Sequence, residues 1–298
     1  MLRRLVSCAA MIALVGTVGA GPLQPAPAEA EISSYKTIQP RYGESRSAQT
    51  VLIYVTEDLN RDTRIKVEDY AKTPPSQRMH VLKLNRSLHF STGIYDYSVM
   101  TSVFSALQPG HCMGILCPAK ISITASEWCG NFYEQILPDS NGARRTMHSY
   151  FEAEGDKEDY VALPGPGLYE DSLPVLIREF EGEFIPVGQK REYNILPSLW
   201  ESRITHRPLA SEKGSVEKTV DRLTVAGGKS QSVYKWIWHV GSRVVTYWTE
   251  QEYPHYIVRW SSSAGESGER IKTIHLPYWE HNKNEDSRLR RELGLATP

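Results

Sequence analysis

The sequence lacks most of the features that would name a chemistry outright. There are only 4 cysteines in 298 residues. The 9 histidines include no His-Glu-x-x-His pair, which excludes a zincin-type metalloprotease. Ala226-Gly227-Gly228-Lys229-Ser230 lacks the first glycine of a Walker phosphate loop, and Gly265-Glu266-Ser267-Gly268 lacks the spacing of a nucleophile elbow. Charge of one sign is missing too. The 34 Lys and Arg nearly cancel the 35 Asp and Glu, which excludes a strongly basic nucleic-acid binder and an acidic disordered tail. Beyond residue 30 no apolar run is long enough for a membrane-spanning helix.

Residues 1–30 read as a secretory signal peptide. Arg3 and Arg4 precede an apolar stretch from Leu5 to Ala20, and a Pro- and Ala-rich spacer ends in Ala28-Glu29-Ala30. Val18-Gly19-Ala20 is a second candidate cleavage site. Leu5-Val6-Ser7-Cys8 has the letters of a lipobox, but only two apolar residues precede Ser7. The expected mature chain is residues 31–298, exported to the periplasm or secreted from a bacterium, with no transmembrane segment.

Three cysteines remain after such a cut. Cys112 and Cys117 bracket a short turn-like loop, and in an oxidising compartment a disulfide between them is the natural reading. So short a ring would contribute roughly 2 kcal/mol. Unpaired thiols, a metal pair or a redox pair are the alternatives. Cys129, in Glu127-Trp128-Cys129-Gly130, reads as a small buried hydrophobe beside a tryptophan.

What the chain does have is β pattern and aromatics: 16 Tyr, 7 Trp and 6 Phe. Val51-Leu52-Ile53-Tyr54-Val55-Thr56 is β-branched, Val81, Leu82 and Leu84 form another run beside His89 and Phe90, and Ile121 to Ser126 alternates strictly. Met147 to Ala153, Val233 to Val240, Arg243 to Thr249 and Arg270 to Trp279 read as further strands. Tyr256, Val258 and Trp260 are expected to share one face. Helical spacing is confined to Leu168–Phe180 and the polar tail Asn284–Leu293. The expected fold is all-β: a mostly antiparallel curved sheet, half-barrel or sandwich, with one or two short helices. It forms a single domain over 31–298, with a possible seam at Leu163-Pro164-Gly165-Pro166-Gly167.

Several segments resemble a family of exported bacterial proteins. They are Arg41-Tyr42-Gly43-Glu44, Val51 to Asp58, Val81 to Asn85, Thr92-Gly93-Ile94-Tyr95, Glu127 to Gly130 and His148-Ser149-Tyr150-Phe151. Pro254-His255, Tyr278-Trp279 and Leu293-Gly294-Leu295 complete the likeness. Members of that family often carry the label "septum formation inhibitor Maf". The label implies a cytosolic nucleotide pyrophosphatase with a Ser-rich, double-Arg phosphate-binding start, and Arg144-Arg145 has no such serines before it. By fold pattern alone the chain is also similar to periplasmic half-barrel proteins of the lipoprotein-carrier type, which hold an apolar ligand against a curved sheet.

Trp236, Trp238, Trp248 and Trp260 crowd into 25 residues with Tyr247. They are either a core layer or a surface that stacks sugars or cradles an acyl chain. For catalysis the groups to watch are Glu57 and Glu127 with His111 and His148, since paired carboxylates or a carboxylate–histidine pair can run acid–base hydrolysis. Glu57-Asp58 is expected at a strand–turn boundary, and Glu152 and Glu154 on one wet strand face. The reading that results is a non-catalytic binding or structural protein, with an apolar small molecule or an envelope component as its partner. A cell-envelope hydrolase is the alternative, and a Maf-type pyrophosphatase a remote one. No cofactor, metal or nucleic-acid partner is expected.

Overall fold

The computed structural model describes residues 29–108, 116–180, 182–224, 228 and 230–295. The strands are β1 (Ala30–Arg41), β2 (Glu44–Asn60), β3 (Arg78–Thr92), β4 (Tyr95–Ala106), β5 (Pro118–Glu127), β6 (Gly130–Pro138), β7 (Gly142–Ser149) and β8 (Lys157–Ala162). After them come β9 (Gly167–Tyr169), β10 (Lys190–Leu196), β11 (Glu212–Thr224), β12 (Ser230–Val240), β13 (Arg243–Glu250), β14 (Ile257–Ser262) and β15 (Ser267–Leu276). Three short helices interrupt or follow them: α1 (Leu173–Leu176), α2 (Leu199–Thr205) and α3 (Arg288–Glu292).

All 15 strands join one open sheet in the order β8-β7-β6-β5-β4-β3-β2-β1-β15-β14-β13-β12-β11-β10-β9. Every pairing is antiparallel except β9 with β10. Two meanders, β1 to β8 and β10 to β15, therefore meet at the chain's two ends, where Ala30 lies opposite Leu276. Short turns make the meanders possible. Tyr42 and Gly43 both have positive φ, the geometry that suits a two-residue hairpin turn to the natural twist of its strands. Leu163-Pro164-Gly165-Pro166 carries the chain from one edge of the sheet, β8, to the other, β9. Tyr169 reaches back across that gap and donates its hydroxyl to the Gly142 carbonyl of β7 at 2.7 Å.

Alternation along the strands builds two faces. The inner face gathers Leu84, Val99, Ile121, Phe132, Trp236, Tyr247 and Trp260 into one cluster, together with Leu173 to Ile177 of the segment that precedes β10. One sheet touching the same segment from strands so far apart in its order must curve around it. Gly268 makes room for the curl, since a Cβ there would come 2.2 Å from the Trp260 ring. The outer face carries smaller clusters. Ala30, Ile32 and Val55 are covered by Leu293 and Leu295, so the polar tail docks rather than floats.

Several sequence expectations shift at element ends. The strand expected to run to Ala153 stops at Ser149, and residues 150–155 turn, because Phe151 carbonyl accepts from Glu154 and Gly155 amides. The strand expected to reach Trp279 stops at Leu276, before Pro277. The helix expected over Leu168–Phe180 shrinks to the 3-10 turn Glu170–Ser172 followed by α1, since Gly167–Tyr169 is recruited to the sheet edge by β10. Val258 does not share a face with Trp260. A bulge between Trp248 and Thr249 shifts the β13–β14 register and puts Ile257 and Trp260 inside but Val258 outside.

Candidate functional site

The aromatic residues singled out by the sequence divide between the faces. Trp236 and Trp238 are 0% exposed, and Trp260 and Tyr247 are buried beside them. The Phe184 ring stacks 6.2 Å from both Trp236 and Trp238, so the chain's own crossover covers them. Trp248 points the other way, as its place next to Tyr247 in the pleat requires. It donates from Nε1 to Asp221 at 3.0 Å and packs against Leu223, Val233 and Val258. In this structure Trp236 and Trp238 are core, while Tyr247 and Trp260 border a small inner cavity.

Among the described residues the carboxylates and histidines to watch do not converge. Glu57 and Asp58 lie within β2, not at its boundary, and pair across to β3: Lys83 Nζ with Glu57 at 2.8 Å, His80 Nδ1 with Asp58 at 2.9 Å. Glu127 is at the other end of the sheet, 3.8 Å from Arg203 of α2. Glu152 and Glu154 belong to the β7–β8 turn rather than a strand, and Glu154 pairs with Arg203 at 2.8 Å and His206 at 3.3 Å. His148 is exposed, 3.4 Å from Asp156. His111 and Cys112 lie outside the described residues, so the disulfide with Cys117 stays an expectation. Cys129 is free and exposed, not buried, because Trp128-Cys129 forms the tip of the β5–β6 hairpin.

A different set of charges comes together inside the sheet. A cavity of about 40 Å³ lies between β3, β4, β13 and β14, and it is roofed by the Glu170–Ser172 turn and the start of α2. That is room for two or three waters. Its polar lining is Arg86, Glu170, Asp171, Ser198, Glu201, Arg243, Tyr247 and Glu266. A surface cleft of about 360 Å³ adjoins it, between α2 and the β12–β13 and β14–β15 turns. Glu201 and Arg243 line both spaces. A cleft of that volume is at the lower end of what small-molecule sites occupy.

Local structure explains why each group is there. Ser198 caps α2 by accepting from the Trp200 amide at 3.2 Å. Glu170 and Asp171 then take the neighbouring amides, Ser198 N to Glu170 at 2.9 Å and Leu199 N to Asp171 at 2.9 Å. Two acidic groups at a helix start satisfy its free N–H groups and suit its dipole. Arg243 pairs with Glu170 and stands 3.7 Å from Glu201. Arg86 pairs with Glu266, which also accepts from Trp260 Nε1 at 2.8 Å.

Two guanidiniums thus face four carboxyl groups. Burial pushes Asp171 up to about 6, and the nearby Glu170 charge adds to it. Burial also raises Glu201, against the pull of Arg243. No histidine lines either space. Among the described residues no cluster of three or more His, Cys, Asp or Glu is arranged to hold a metal ion. Sequence reasoning missed this constellation because its members span residues 86 to 266 and none sits in a motif. The one local hint was Glu170-Asp171-Ser172 after the Pro-Gly punctuation, whose acidic pair caps a helix 28 residues further on.

No protein-family model, curated protein or solved structure matches the chain.

Proposed function

We propose that the protein is an exported, non-catalytic binding protein whose site is the cleft that shares Glu201 and Arg243 with the inner cavity, and that its ligand is a small polar molecule bearing a cationic group. The observation that carries this reading is the shared lining: one carboxyl and one guanidinium border both a ligand-sized cleft and a charged inner cavity. The surplus of carboxyl over guanidinium groups favours a positive charge entering from the cleft. An apolar ligand on the aromatic face is less well supported, because Phe184 and α1 already occupy that face.

The test is a thermal-shift and calorimetric screen with monoamines, diamines and cationic amino acids, against matched neutral and anionic compounds. A cationic compound is expected to raise Tm, and Glu201→Gln to abolish the gain. Native mass spectrometry of the exported protein covers the older reading: a co-purifying lipid would restore the apolar ligand and displace the polar one.

A carboxylate hydrolase is the second reading, favoured by a single observation. Asp171, pushed up to about 6 by burial, sits among other carboxyl groups, and unequal carboxyl environments are how acid and base roles are divided in such sites. Against it, Asp171 and Glu170 spend acceptor oxygens on backbone amides of α2. Hydrolysis of a chromogenic glycoside or ester panel that disappears in Asp171→Asn at unchanged stability would establish it.

A further inference from the structure

The antiparallel order places the β1–β2, β3–β4, β5–β6 and β7–β8 turns at one end of the sheet. Each of these four successive tips exposes one large apolar side chain: Tyr42 58%, Ile94 82%, Trp128 69% and Tyr150 73%. Neighbouring tips are two strands apart, so these side chains recur about every 10 Å along the rim. At the same end the β12–β13 and β14–β15 turns show Gly241-Ser242 and Ser263-Ala264-Gly265, and the β10–β11 connection with α2 exposes no large apolar group. Other large apolar groups are exposed elsewhere, Ile65 and Tyr70 at the opposite end among them, but these four recur tip after tip along one half of one rim.

We propose that this half-rim docks the protein on a lipid surface with zwitterionic headgroups. The tips are knobs rather than a groove. A single large side chain on each hairpin tip can enter a soft interface, whereas a rigid protein partner would need four matching holes. Trp and Tyr join an apolar body to a polar edge, which is why they collect at the headgroup level of bilayers, and Ile94 supplies the aliphatic wedge. The knobs are held in place. Tyr42 Oη bonds to Tyr97 Oη at 2.9 Å, and the Tyr150 ring lies so close over Gly130 that a Cβ there would be 2.6 Å away. The four tips carry no surplus of basic charge: Arg46 pairs with Glu44 at 2.6 Å, and the β7–β8 tip holds Glu152, Glu154 and Asp156. A rim with more carboxylates than basic groups fits a zwitterionic surface better than an anionic one.

The experiment is co-sedimentation of the exported protein with phosphatidylcholine vesicles, with and without phosphatidylglycerol, at low and high salt. Binding to phosphatidylcholine alone is expected, with little salt dependence. Trp128→Ser and Tyr150→Ser should each lower the partition coefficient about tenfold, and the pair more. Ile65→Ser, exposed at the opposite end, is the control and should change nothing; circular dichroism confirms that each variant folds. The tip variants also separate this binding from any through an uncleaved Leu5–Ala20 run. Absence of binding, binding that needs phosphatidylglycerol and vanishes in salt, equal loss in the control, or self-association through the tips would each overturn the proposal.

Discussion

Arg178 and Glu31, 147 residues apart in sequence, form a buried two-pronged ion pair: Nη1 to Oε1 at 2.8 Å and Nη2 to Oε2 at 2.7 Å. The guanidinium also donates from Nε to the Pro254 carbonyl at 2.6 Å and lies 4.7 to 5.1 Å from the Phe180, Tyr54 and Tyr256 rings. It fastens the inner crossover to the first strand. The next residue repeats the device, with Lys218 Nζ donating to Glu179 at 2.6 Å beneath Trp236. A segment that carries two opposite charges into a sheet interior is stable there only if both are answered.

Removing one partner should therefore cost far more than removing both. Arg178→Met is expected to destabilise the protein by about 3–5 kcal/mol, because Glu31 is left buried and unanswered. Glu31→Met together with Arg178→Met should recover much of that loss. Urea denaturation of the two variants decides it, and equal losses would mean the pair is not the fastening.

Asp171 should make stability fall as pH rises. Its native value of about 6 lies above its ordinary 3.8, so between these values the native state holds more protons than the unfolded state. Its contribution is fully present below the ordinary value and is lost by the time pH passes about 6, a difference of roughly 3 kcal/mol. Asp171→Asn keeps an acceptor for the Leu199 amide without the titration. Its unfolding free energy between pH 4 and 7 should be flatter than that of the natural chain, and a parallel dependence would reject the assignment.

The two faces predict unequal tryptophans. Trp236→Ala should cost about 3–5 kcal/mol, as truncation of a fully enclosed ring does. Trp248→Ala should cost about 1–2 kcal/mol, since that ring is only partly covered and loses one bond to Asp221. Similar costs for both would show that the inner face is not the tightly packed one.

Cys129 should be the one thiol that reacts in the folded protein. A single maleimide adduct, on a mass two hydrogens short, is the expected result if Cys112 and Cys117 are bonded. Three adducts under native conditions would remove that bond.

Strand identity was legible from residue order alone. The β-branched run at Val51–Thr56 and the alternation at Ile121–Ser126 and Val233–Val240 mark strands because a pleat with one buried face needs apolar residues at every second position. Alternation also separates Trp236 and Trp238 from their odd-numbered neighbours, and the scarcity of helical spacing matches the short α1, α2 and α3. Element ends were less legible where a neighbour decides them. Gly167–Tyr169 is a strand only because β10 lies beside it, and Val258 leaves the face of Trp260 only because β14 bulges there.

The candidate site belongs to the tertiary structure entirely. Arg86, Glu170, Glu201, Arg243 and Glu266 have no spacing that relates them, and each is an unremarkable polar residue in its own segment. They meet because the curved sheet brings β3 and β13 around the same crossover, and because the free amides of α2 require acidic partners there. Local sequence sets the periodicity of a strand, which depends on neighbours two residues away. Which charges share a cavity depends on contacts between strands far apart in the chain, and those exist only once the sheet has curled.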